Sequence, residues 1–508
     1  MTGKACSCDV LVIGGGINGA GIARDMAGRG WSTILCEKDD LASHTSSAST
    51  KLIHGGLRYL EQYEFRLVRK ALAEREVLMR CAPHLIRPLA FILPHDDRQR
   101  PAWLIRTGLL LYDCLARRQL LGRSQGLDLR THAAGVPLQE RFVRGFSYAD
   151  GWVDDARLVV LNALDAAERG ATVLTRTACT GLTRGKDSWE ATLTESKGRS
   201  RIVQARAVVD ATGPWAGKLF QPAANRATRT LRLVKGSHIV VKKLFAHADA
   251  YLFQHADGRV IFAIPYEQDF TLIGTTDVDY AGDLDQVAIG TPEIDYLCAV
   301  ASSYFVQPVR PRDVVWTYSG VRPLQPDEED AASVTRDYRL VCDASAAPLL
   351  TVLGGKLTTY RRLAEEAADL LGAALGRHTR HWTAGACLPG GDIDGMAPSN
   401  RAVREFDDWI ARLAVQHAWL PPSLLQRYAR AYGTRIDSVL NGATTLPELG
   451  IEILPGLHAA EVAYLVEHEW ARCAKDILWR RSKCGLHLAA DAEAHLDAWL
   501  NLTYPDLP

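Results

Sequence analysis

The chain of 508 residues lacks an excess of either charge, because 59 basic and 59 acidic residues leave a formal net charge of zero. No global field therefore attracts nucleic acid or an anionic membrane, and any such affinity must be local. The sequence also lacks an internal repeat, a low-complexity tract and any apolar run close to the roughly 18 residues of a membrane span. Its 47% hydrophobic content is typical of a globular protein of two or three domains.

Metal and disulfide motifs are missing too. The 11 cysteines run from Cys6 to Cys484 without a C-x-x-C pair or a metal-ligand spacing, so we expect reduced thiols in a cytosolic setting. The segment from His468 to Arg472 resembles a zincin helix, but its second histidine is absent and we predict no metal site. A predicted strand follows Met1 closely, so we expect no cleaved signal peptide.

The strongest motif is the stretch 10–21, where a short apolar strand turns into a helix through glycines at G-x-G-x-x-G spacing. Gly14 permits the tight turn, Gly16 lets the backbone approach a pyrophosphate, and Gly19 lets the helix and strand pack closely. The next predicted strand ends at Glu37, whose carboxylate can accept both ribose hydroxyls of an adenosine. These features predict a dinucleotide-binding βαβ unit.

Three further stretches suit the same site. Residues 45–60 are small and polar and then glycine-punctuated, which is typical of a loop that clasps a cofactor. Residues 205–215 form an apolar strand ending in Ala-Thr-Gly, where small residues let the backbone pass close to a dinucleotide. Residues 349–361 combine a strand, a glycine turn and the start of a second helix, whose N-terminus offers free N–H groups and a positive dipole end.

The pattern predicts a mixed α/β (α+β) fold with a Rossmann-like dinucleotide-binding domain, an inserted antiparallel sheet and a C-terminal helical domain. Short predicted strands separated by turn signals mark the insertion as a substrate platform, and a helical periodicity marks the end of the chain. The dinucleotide-binding domain is expected in three parts, interrupted by a substrate- or membrane-facing region and by the sheet. In chain order the expected boundaries are 1–90, 91–150 (substrate- or membrane-facing), 151–228, 229–340 (sheet), 341–388 and 389–508 (helical).

The segment 98–123 is unusual in this neutral chain, since it carries six arginines against the single acid Asp113. Aromatic and leucine-rich sequence lies between the arginines, and such a segment can lie in a bilayer interface as an amphipathic helix. The alternative is a buried helix with a solvated basic end. On the membrane reading, the side chains expected to enter the interface are those of Trp103, Leu104, Leu109, Leu110 and Tyr112.

Taken together, the motifs at 14–19, 46–59, 236–241, 316–323 and 354–361 resemble the family of bacterial aerobic FAD-dependent glycerol-3-phosphate dehydrogenases. The resemblance covers essentially the whole chain, including short motifs at 467–470 and 478–481 in the helical domain. It implies FAD bound as in D-amino-acid oxidase, oxidation of sn-glycerol 3-phosphate to dihydroxyacetone phosphate, and a membrane quinone such as ubiquinone as acceptor. It also implies a peripheral or monotopic protein on the cytoplasmic face of the cytoplasmic membrane, and a homodimer is possible.

We expect the FAD to be non-covalent, because no motif assigns a covalent attachment residue. One departure from the wider fold is Cys179, which stands where relatives often carry a valine whose backbone contacts adenine. The residues expected to contact FAD are Gly14, Gly15, Gly16, Asn18, Gly19, Glu37, Thr45, Ser46, Ser47, Lys51, Leu52, Cys179, Gly213, Gly354, Gly355, Lys356, Leu357 and Thr358.

Oxidation of a secondary alcohol needs a hydride acceptor, a base for the hydroxyl proton and, for a phosphorylated substrate, fixed positive charge. We predict His238 as the base, with His54 as the second choice, because imidazole titrates near working pH. Lys356 is expected to stabilise negative charge on reduced flavin. The side chains expected to bind or orient the substrate are Arg58, Arg322 and Arg336 at the phosphate and Tyr59 and Thr275 elsewhere.

Two other functions stay open at this level. An oxidase of the same substrate differs mainly in the access of oxygen to reduced flavin, and the segment 98–123 favours the quinone over oxygen as acceptor. An FAD-containing RNA-modifying or binding protein is compatible with the opening motif alone. The neutral charge and the lack of a long basic face argue against that second alternative and predict no nucleic-acid partner.

Overall fold

The computed structural model describes residues 6–61, 63–96, 98–217, 231–255, 257–324 and 337–505. Two large sheets dominate it, one of eight strands and one of ten. Three helices cover the first sheet, a second set flanks the other sheet, and a helical domain follows. The mixed α/β fold predicted from the sequence is confirmed by this architecture.

The first sheet is mostly parallel, and its strands run in the spatial order Arg339–Asp343, Leu349–Leu353, Ser200–Asp210, Cys6–Ile13, Thr33–Cys36 and Thr172–Leu174. A hairpin of Thr177–Arg184 and Trp189–Glu195 extends from it by antiparallel pairing with Ser200–Asp210. The central strand Cys6–Ile13 is apolar and buried over residues 10–13, as expected for a parallel strand covered on both faces. The covering helices are Ile17–Gly28, Asp155–Glu168 and Tyr360–Ala374.

The second sheet is almost entirely antiparallel. Its spatial order is Val278–Asp279, Arg232–Lys242, Phe270–Gly274, Val260–Tyr266, Ala250–Gln254, Ile86–His95, Arg144–Val153 and Leu52–Ile53. Val314–Leu324 pairs with Arg232–Lys242, and Gln125–Asp128 pairs with Arg144–Val153. The sheet thus takes strands from well before residue 229, the expected start of the insertion. The flanking helices are Phe65–Cys81, Ala102–Cys114 and Thr291–Tyr304.

The C-terminal domain is built around a separate hydrophobic core. It contains a small hairpin, Glu452–Leu454 with Leu457–His458, and its helices are Asn400–Arg404, Phe406–Gln416, Pro422–Tyr432, Ile436–Leu440, Ala459–His468, the π-helix Asp476–Arg481 and Ala492–Thr503. The indole of Trp479 stacks on that of Trp316 in the second sheet, with ring centroids 3.7 Å apart and planes 7° from parallel. This stack joins the helical domain to the antiparallel sheet.

The helix Ala102–Cys114 has an exposed face and a buried face. Trp103, Leu104 and Leu110 are 69%, 41% and 47% exposed, whereas Leu109 and Tyr112 are 0% exposed. The expectation that Leu109 and Tyr112 enter a membrane interface is therefore wrong, because both side chains pack into the core beside the second sheet. Among the described residues, the structure has no helix of sufficient length and apolarity to span a bilayer.

Candidate active site

A cavity of about 940 Å³ lies between the two sheets. Four parallel strands of the first sheet end at its wall, and each continues there into a predicted cofactor segment: Gly14, Glu37, the stretch 211–213 and Gly354. Ligands of open parallel sheets bind beyond the carboxyl ends of the strands, which is the geometry seen here. Residues from Arg232–Lys242 and Val314–Leu324 form the opposite wall.

The first glycine turn leaves no room for side chains. Gly14 has a φ of +112°, and a Cβ there would lie 2.5 Å from the carbonyl oxygen of Ala211. A Cβ on Gly19 would lie 1.9 Å from the carbonyl oxygen of Gly14. The N–H of Ile17 donates to Ser46 Oγ at 3.0 Å, so the loop 45–60 closes over the start of the helix. The turn thus brings bare backbone to the cavity, as pyrophosphate binding requires.

Glu37 lies at the end of the second parallel strand with its carboxylate fixed. Oε2 accepts from the N–H of Gly15 at 2.6 Å, and Oε1 accepts from the N–H of Asp39 at 2.9 Å. Burial raises the pKa of Glu37 above its ordinary value, although both backbone hydrogen bonds act in the opposite direction. A carboxylate held this way keeps lone pairs for the hydroxyls of a ribose.

Most of the predicted cofactor residues line the cavity, but Gly15, Gly19, Ser47 and Lys51 do not. The two glycines act through the shape of the turn. The Lys51 ammonium is buried and donates to Asp155 Oδ1 at 2.8 Å and to the Ser47 carbonyl at 3.1 Å. We therefore correct the expectation for the Lys51 side chain, which holds the loop to the helix Asp155–Glu168. An ion pair between residues so far apart in sequence has no local signature.

The second glycine turn borders the cavity from the first sheet. Gly354 and Gly355 have φ values of +73° and +107°, and Asn18 Nδ2 donates to the Gly354 carbonyl at 3.2 Å. The ammonium of Lys356 lies 3.7 Å from the ring centroid of Tyr59. The turn thereby joins the first helix to the loop that carries Tyr59, and it places a cation at the cavity wall.

Both predicted histidines lie at the cavity. His54 is tied by its backbone, since its N–H donates to Thr358 Oγ1 at 3.1 Å and its carbonyl accepts from the same hydroxyl at 3.2 Å. The His238 ring is 1% exposed and stacks on Tyr318 with centroids 4.7 Å apart. Its Nε2 shares a hydrogen bond of 3.0 Å with Thr50 Oγ1.

Burial lowers the pKa of His238 well below 6.5, and the nearby cations Arg322 and Lys51 lower it further. The imidazole is therefore neutral at physiological pH and able to accept a proton. Thr50 and Tyr318 fix the plane and the edge of this ring. Neither residue was predicted as a site residue, although Thr50 lies in the motif 46–59 and Tyr318 lies in the motif 316–323.

The predicted anion-binding side chains have different surroundings. Arg322 donates from Nη1 to Asp277 and from Nη2 to Thr275 Oγ1 at 3.0 Å, so its guanidinium is oriented by the segment that connects Phe270–Gly274 to Val278–Asp279. Asp277 was not predicted, and it takes part of the donor capacity of Arg322. Arg58 lines the cavity, and among the described residues it has no carboxylate partner. Arg336 lies outside the described residues.

Comparison with known proteins agrees with this geometry. Residues 9–361 match the family of FAD-dependent oxidoreductases, and residues 382–507 match the C-terminal domain of alpha-glycerophosphate oxidase. Glycerol-3-phosphate dehydrogenase of Pseudomonas aeruginosa is 50% identical over 98% of this chain and 96% of its own length. The aerobic glycerol-3-phosphate dehydrogenase of Escherichia coli is 47% identical over 97% of both chains. The chain belongs to the FAD-dependent glycerol-3-phosphate dehydrogenase family.

Other relatives of this flavoenzyme add information on fold and substrate. The crystal structure of glycerol-3-phosphate dehydrogenase from Bacillus halodurans, complexed with FAD, has a TM-score of 0.79 at 28% identity and covers 99% of this chain and 92% of its own. D-erythritol 1-phosphate dehydrogenase of Brucella abortus is 48% identical over 97% of this chain and 98% of its own length. The predicted family, fold and FAD cofactor are thus confirmed.

The residues of this flavoenzyme fit FAD. The close-packed turn at Gly14 and the start of the helix Ile17–Gly28 suit the pyrophosphate, and Glu37 suits the adenosine ribose. The backbone at Gly354 and Gly355 and the cation of Lys356 suit the polar edge of a flavin ring. Arg322 and His238 then lie on the wall supplied by the second sheet, where a substrate can meet the flavin.

Proposed function

We propose that the enzyme oxidises sn-glycerol 3-phosphate to dihydroxyacetone phosphate, with FAD as the hydride acceptor, and passes the electrons to a membrane quinone such as ubiquinone. The observation that carries the proposal is one cavity holding a cofactor cradle, a neutral buried imidazole and an oriented guanidinium. Two full-length relatives named glycerol-3-phosphate dehydrogenase support this substrate.

In this mechanism the bound FAD supplies an acceptor for the hydride on C2 of the substrate. His238 takes the proton of the C2 hydroxyl at a ring nitrogen, which is possible because burial keeps the ring neutral. Thr50 holds the imidazole through Nε2, so the base is positioned before the substrate arrives. The stacked Tyr318 limits rotation of the ring.

Substrate charge is handled by other groups. Arg322 and Arg58 bind the phosphate, since guanidinium groups match phosphate oxygens in a bidentate manner. Thr275 orients Arg322 and thereby the phosphate that Arg322 binds, while Tyr59 closes the cavity beside Lys356. Lys356 stabilises the negative charge of the reduced cofactor.

A second substrate follows from the relative named D-erythritol 1-phosphate dehydrogenase, whose identity of 48% to this chain lies between the 50% and 47% of the two glycerol-3-phosphate dehydrogenases. Both compounds carry a phosphate and a neighbouring secondary alcohol. Mixing the anaerobic enzyme with each compound distinguishes them, because the true substrate bleaches the flavin absorbance at a lower concentration and a higher rate. Absence of bleaching by both would contradict the proposal.

The acceptor is tested by reoxidising the bleached enzyme. A soluble ubiquinone analogue should restore the yellow colour at least about tenfold faster than air-saturated buffer, a difference of about 1.4 kcal/mol in barrier. Faster reoxidation by air would make the enzyme an oxidase, the alternative raised by the sequence.

The proposed acceptor requires access to the bilayer. We propose peripheral or monotopic attachment to the cytoplasmic face of the cytoplasmic membrane through the exposed face of the helix Ala102–Cys114. Trp103, Leu104 and Leu110 project from that face, and arginines flank it in sequence. Apolar side chains insert into the interface while arginines pair with lipid phosphates. A homodimer stays a prediction.

Replacing Trp103 and Leu110 by aspartate should abolish most binding to anionic liposomes, because both exposed apolar anchors become charged. Wild-type binding should weaken but persist at high salt, since salt screens the arginines and not the inserted side chains. Flotation measures both effects.

The matched control replaces Val415 and Leu502, which are 82% and 84% exposed in the helical domain, by aspartate. It should bind liposomes like the wild type. If the control loses binding and the Trp103/Leu110 variant keeps it, the membrane contact lies in the C-terminal helices.

Denaturation should release all of the flavin, because the proposed attachment is non-covalent. Trichloroacetic acid precipitation of the yellow enzyme should leave a colourless pellet and FAD in the supernatant, identified by chromatography. A yellow pellet after washing would establish a covalent bond and contradict this prediction.

A further inference from the structure

A buried carboxylate connects the cofactor site to the C-terminal domain. Asp40 is 2% exposed and lies three positions after Glu37. It accepts a hydrogen bond from Arg480 Nε at 2.6 Å and a bidentate pair from Arg481 at 2.6 and 2.8 Å. Both arginines belong to the π-helix Asp476–Arg481, so the helical domain reaches the back of the nucleotide-binding strand.

The segment that carries Asp40 also shapes the glycine turn. The N–H of Ala42 donates to the Gly15 carbonyl at 3.1 Å, and the fully buried Leu41 packs beneath the same glycine. Glu37 in turn accepts from the N–H of Gly15. Residues 37–42 therefore form a short arch that positions both the glycine turn and the Glu37 carboxylate, which suits the ribose. Asp40 fixes this arch to the C-terminal domain.

A second tie links the same parts. The backbone N–H of Arg176 donates to the Asp39 carbonyl at 2.7 Å, and that of Thr177 donates to the Glu37 carbonyl at 2.7 Å. The Arg176 guanidinium donates to Asp476 Oδ2 at 2.6 Å. Arg480 Nη2 donates to the other oxygen of Asp476 at 2.5 Å. The π-helix thus holds the arch directly through Asp40 and indirectly through Arg176.

These pairs are shielded from water, because Asp40, Asp476 and Arg481 are at most 2% exposed. Buried charges are stable only while their partners are in place. Undocking of the helical domain would therefore leave the Asp40 carboxylate buried without its two arginine partners. The arch then loses the contacts that fix its position. Since two guanidinium groups hold one carboxylate, small displacements of the arch are opposed in several directions.

We propose that Arg480 and Arg481 are positioning residues for FAD: they hold the arch 37–42 in its binding geometry, so that cofactor binding and docking of the C-terminal domain are coupled. By linkage the coupling is reciprocal, and FAD must strengthen the docking by the same factor by which docking strengthens FAD binding. Neither arginine lines the cofactor cavity, so their effect is exerted through Asp40 and, for Arg480, also through Asp476 and Arg176.

The test compares Arg481→Met with Arg427→Met. Arg427 forms an equally short pair with the buried Glu461 inside the helical domain, although 20% of the Arg427 side chain is exposed, and it has no contact with the arch among the described residues. FAD is removed, and its dissociation constant is measured by quenching of flavin fluorescence. We expect a rise of about tenfold for Arg481→Met, within the range of typical coupling effects, and no change for Arg427→Met.

The reciprocal arm uses limited proteolysis of the full chain with and without FAD. FAD should protect the junction near residue 390 in the wild type and in Arg427→Met, and it should protect it much less in Arg481→Met. Arg480→Met serves where Arg481→Met fails to fold, because Arg480 makes only one of the contacts to Asp40. Unchanged FAD affinity and unchanged protection in a folded Arg480 or Arg481 variant would overturn the proposal.

Discussion

Replacement of His238 by asparagine should lower kcat for glycerol 3-phosphate by about 10² to 10⁴-fold, the usual contribution of a positioned general base. The reason is that the buried imidazole is the neutral proton acceptor at the substrate wall of the cavity. Steady-state kinetics with an artificial dye as acceptor measure the effect without a membrane. The visible spectrum should still show one FAD per chain, because His238 lies opposite the cofactor cradle.

The pH dependence gives an independent check. The base is active above its pKa and loses activity as the pH falls through that pKa, and burial places the pKa of His238 well below 6.5. The acid limb of kcat should therefore lie below pH 6.5 in the wild type. His54→Asn is the matched variant, and a larger loss there than in His238→Asn would transfer the role to His54.

Replacement of Arg322 by alanine should lower kcat/KM by about thirtyfold to a thousandfold, equivalent to roughly 2 to 4 kcal/mol, the range expected for a partly buried charge-assisted contact to an anion. The Asp277 carboxylate would then face the phosphate without its partner and add repulsion. Competitive inhibition by inorganic phosphate should weaken in the same variant, and FAD should stay bound.

Arg232→Ala is the control for Arg322→Ala. Arg232 lies on the same sheet and pairs with Asp279 at 2.7 and 2.8 Å, at a similar exposure, but it does not line the cavity. Its kcat/KM should equal that of the wild type. Equal kinetics of the two variants would remove Arg322 from the phosphate site. Loss of the Arg322 cation should also raise the pKa of His238 and move the acid limb towards neutral pH.

Local patterns carried most of what the sequence predicted. The turn at Gly14 follows from steric demands within a few residues, and the structure places a carbonyl oxygen where any Cβ would stand. Two of the short strands that a turn signal separates in the sequence, Ala250–Gln254 and Val260–Tyr266, likewise pair in an antiparallel manner in the second sheet. Such features depend only on neighbouring residues. The cofactor cradle can therefore be predicted from the sequence without knowledge of the fold.

Contacts between residues that are distant in the sequence could not be predicted from it. Lys51 pairs with Asp155, and Arg481 pairs with Asp40, which is 441 positions away. Charged residues in a polar loop fit a cofactor contact and a structural ion pair equally well. The orientation of the helix Ala102–Cys114 could not be predicted either, because apolar side chains lie on all sides of it. Only its packing in the fold shows that Leu109 faces inward.

The stacked indoles of Trp316 and Trp479 make separation of the helical domain from the antiparallel sheet detectable by ultraviolet spectroscopy. Rings 3.7 Å apart couple their electronic transitions, and this coupling is lost when the rings separate, which changes the ultraviolet absorption and circular dichroism of the pair. One ring belongs to the antiparallel sheet and the other to the π-helix Asp476–Arg481. The enzyme therefore carries an intrinsic exciton reporter, which needs no label and follows the helical domain as it leaves the sheet.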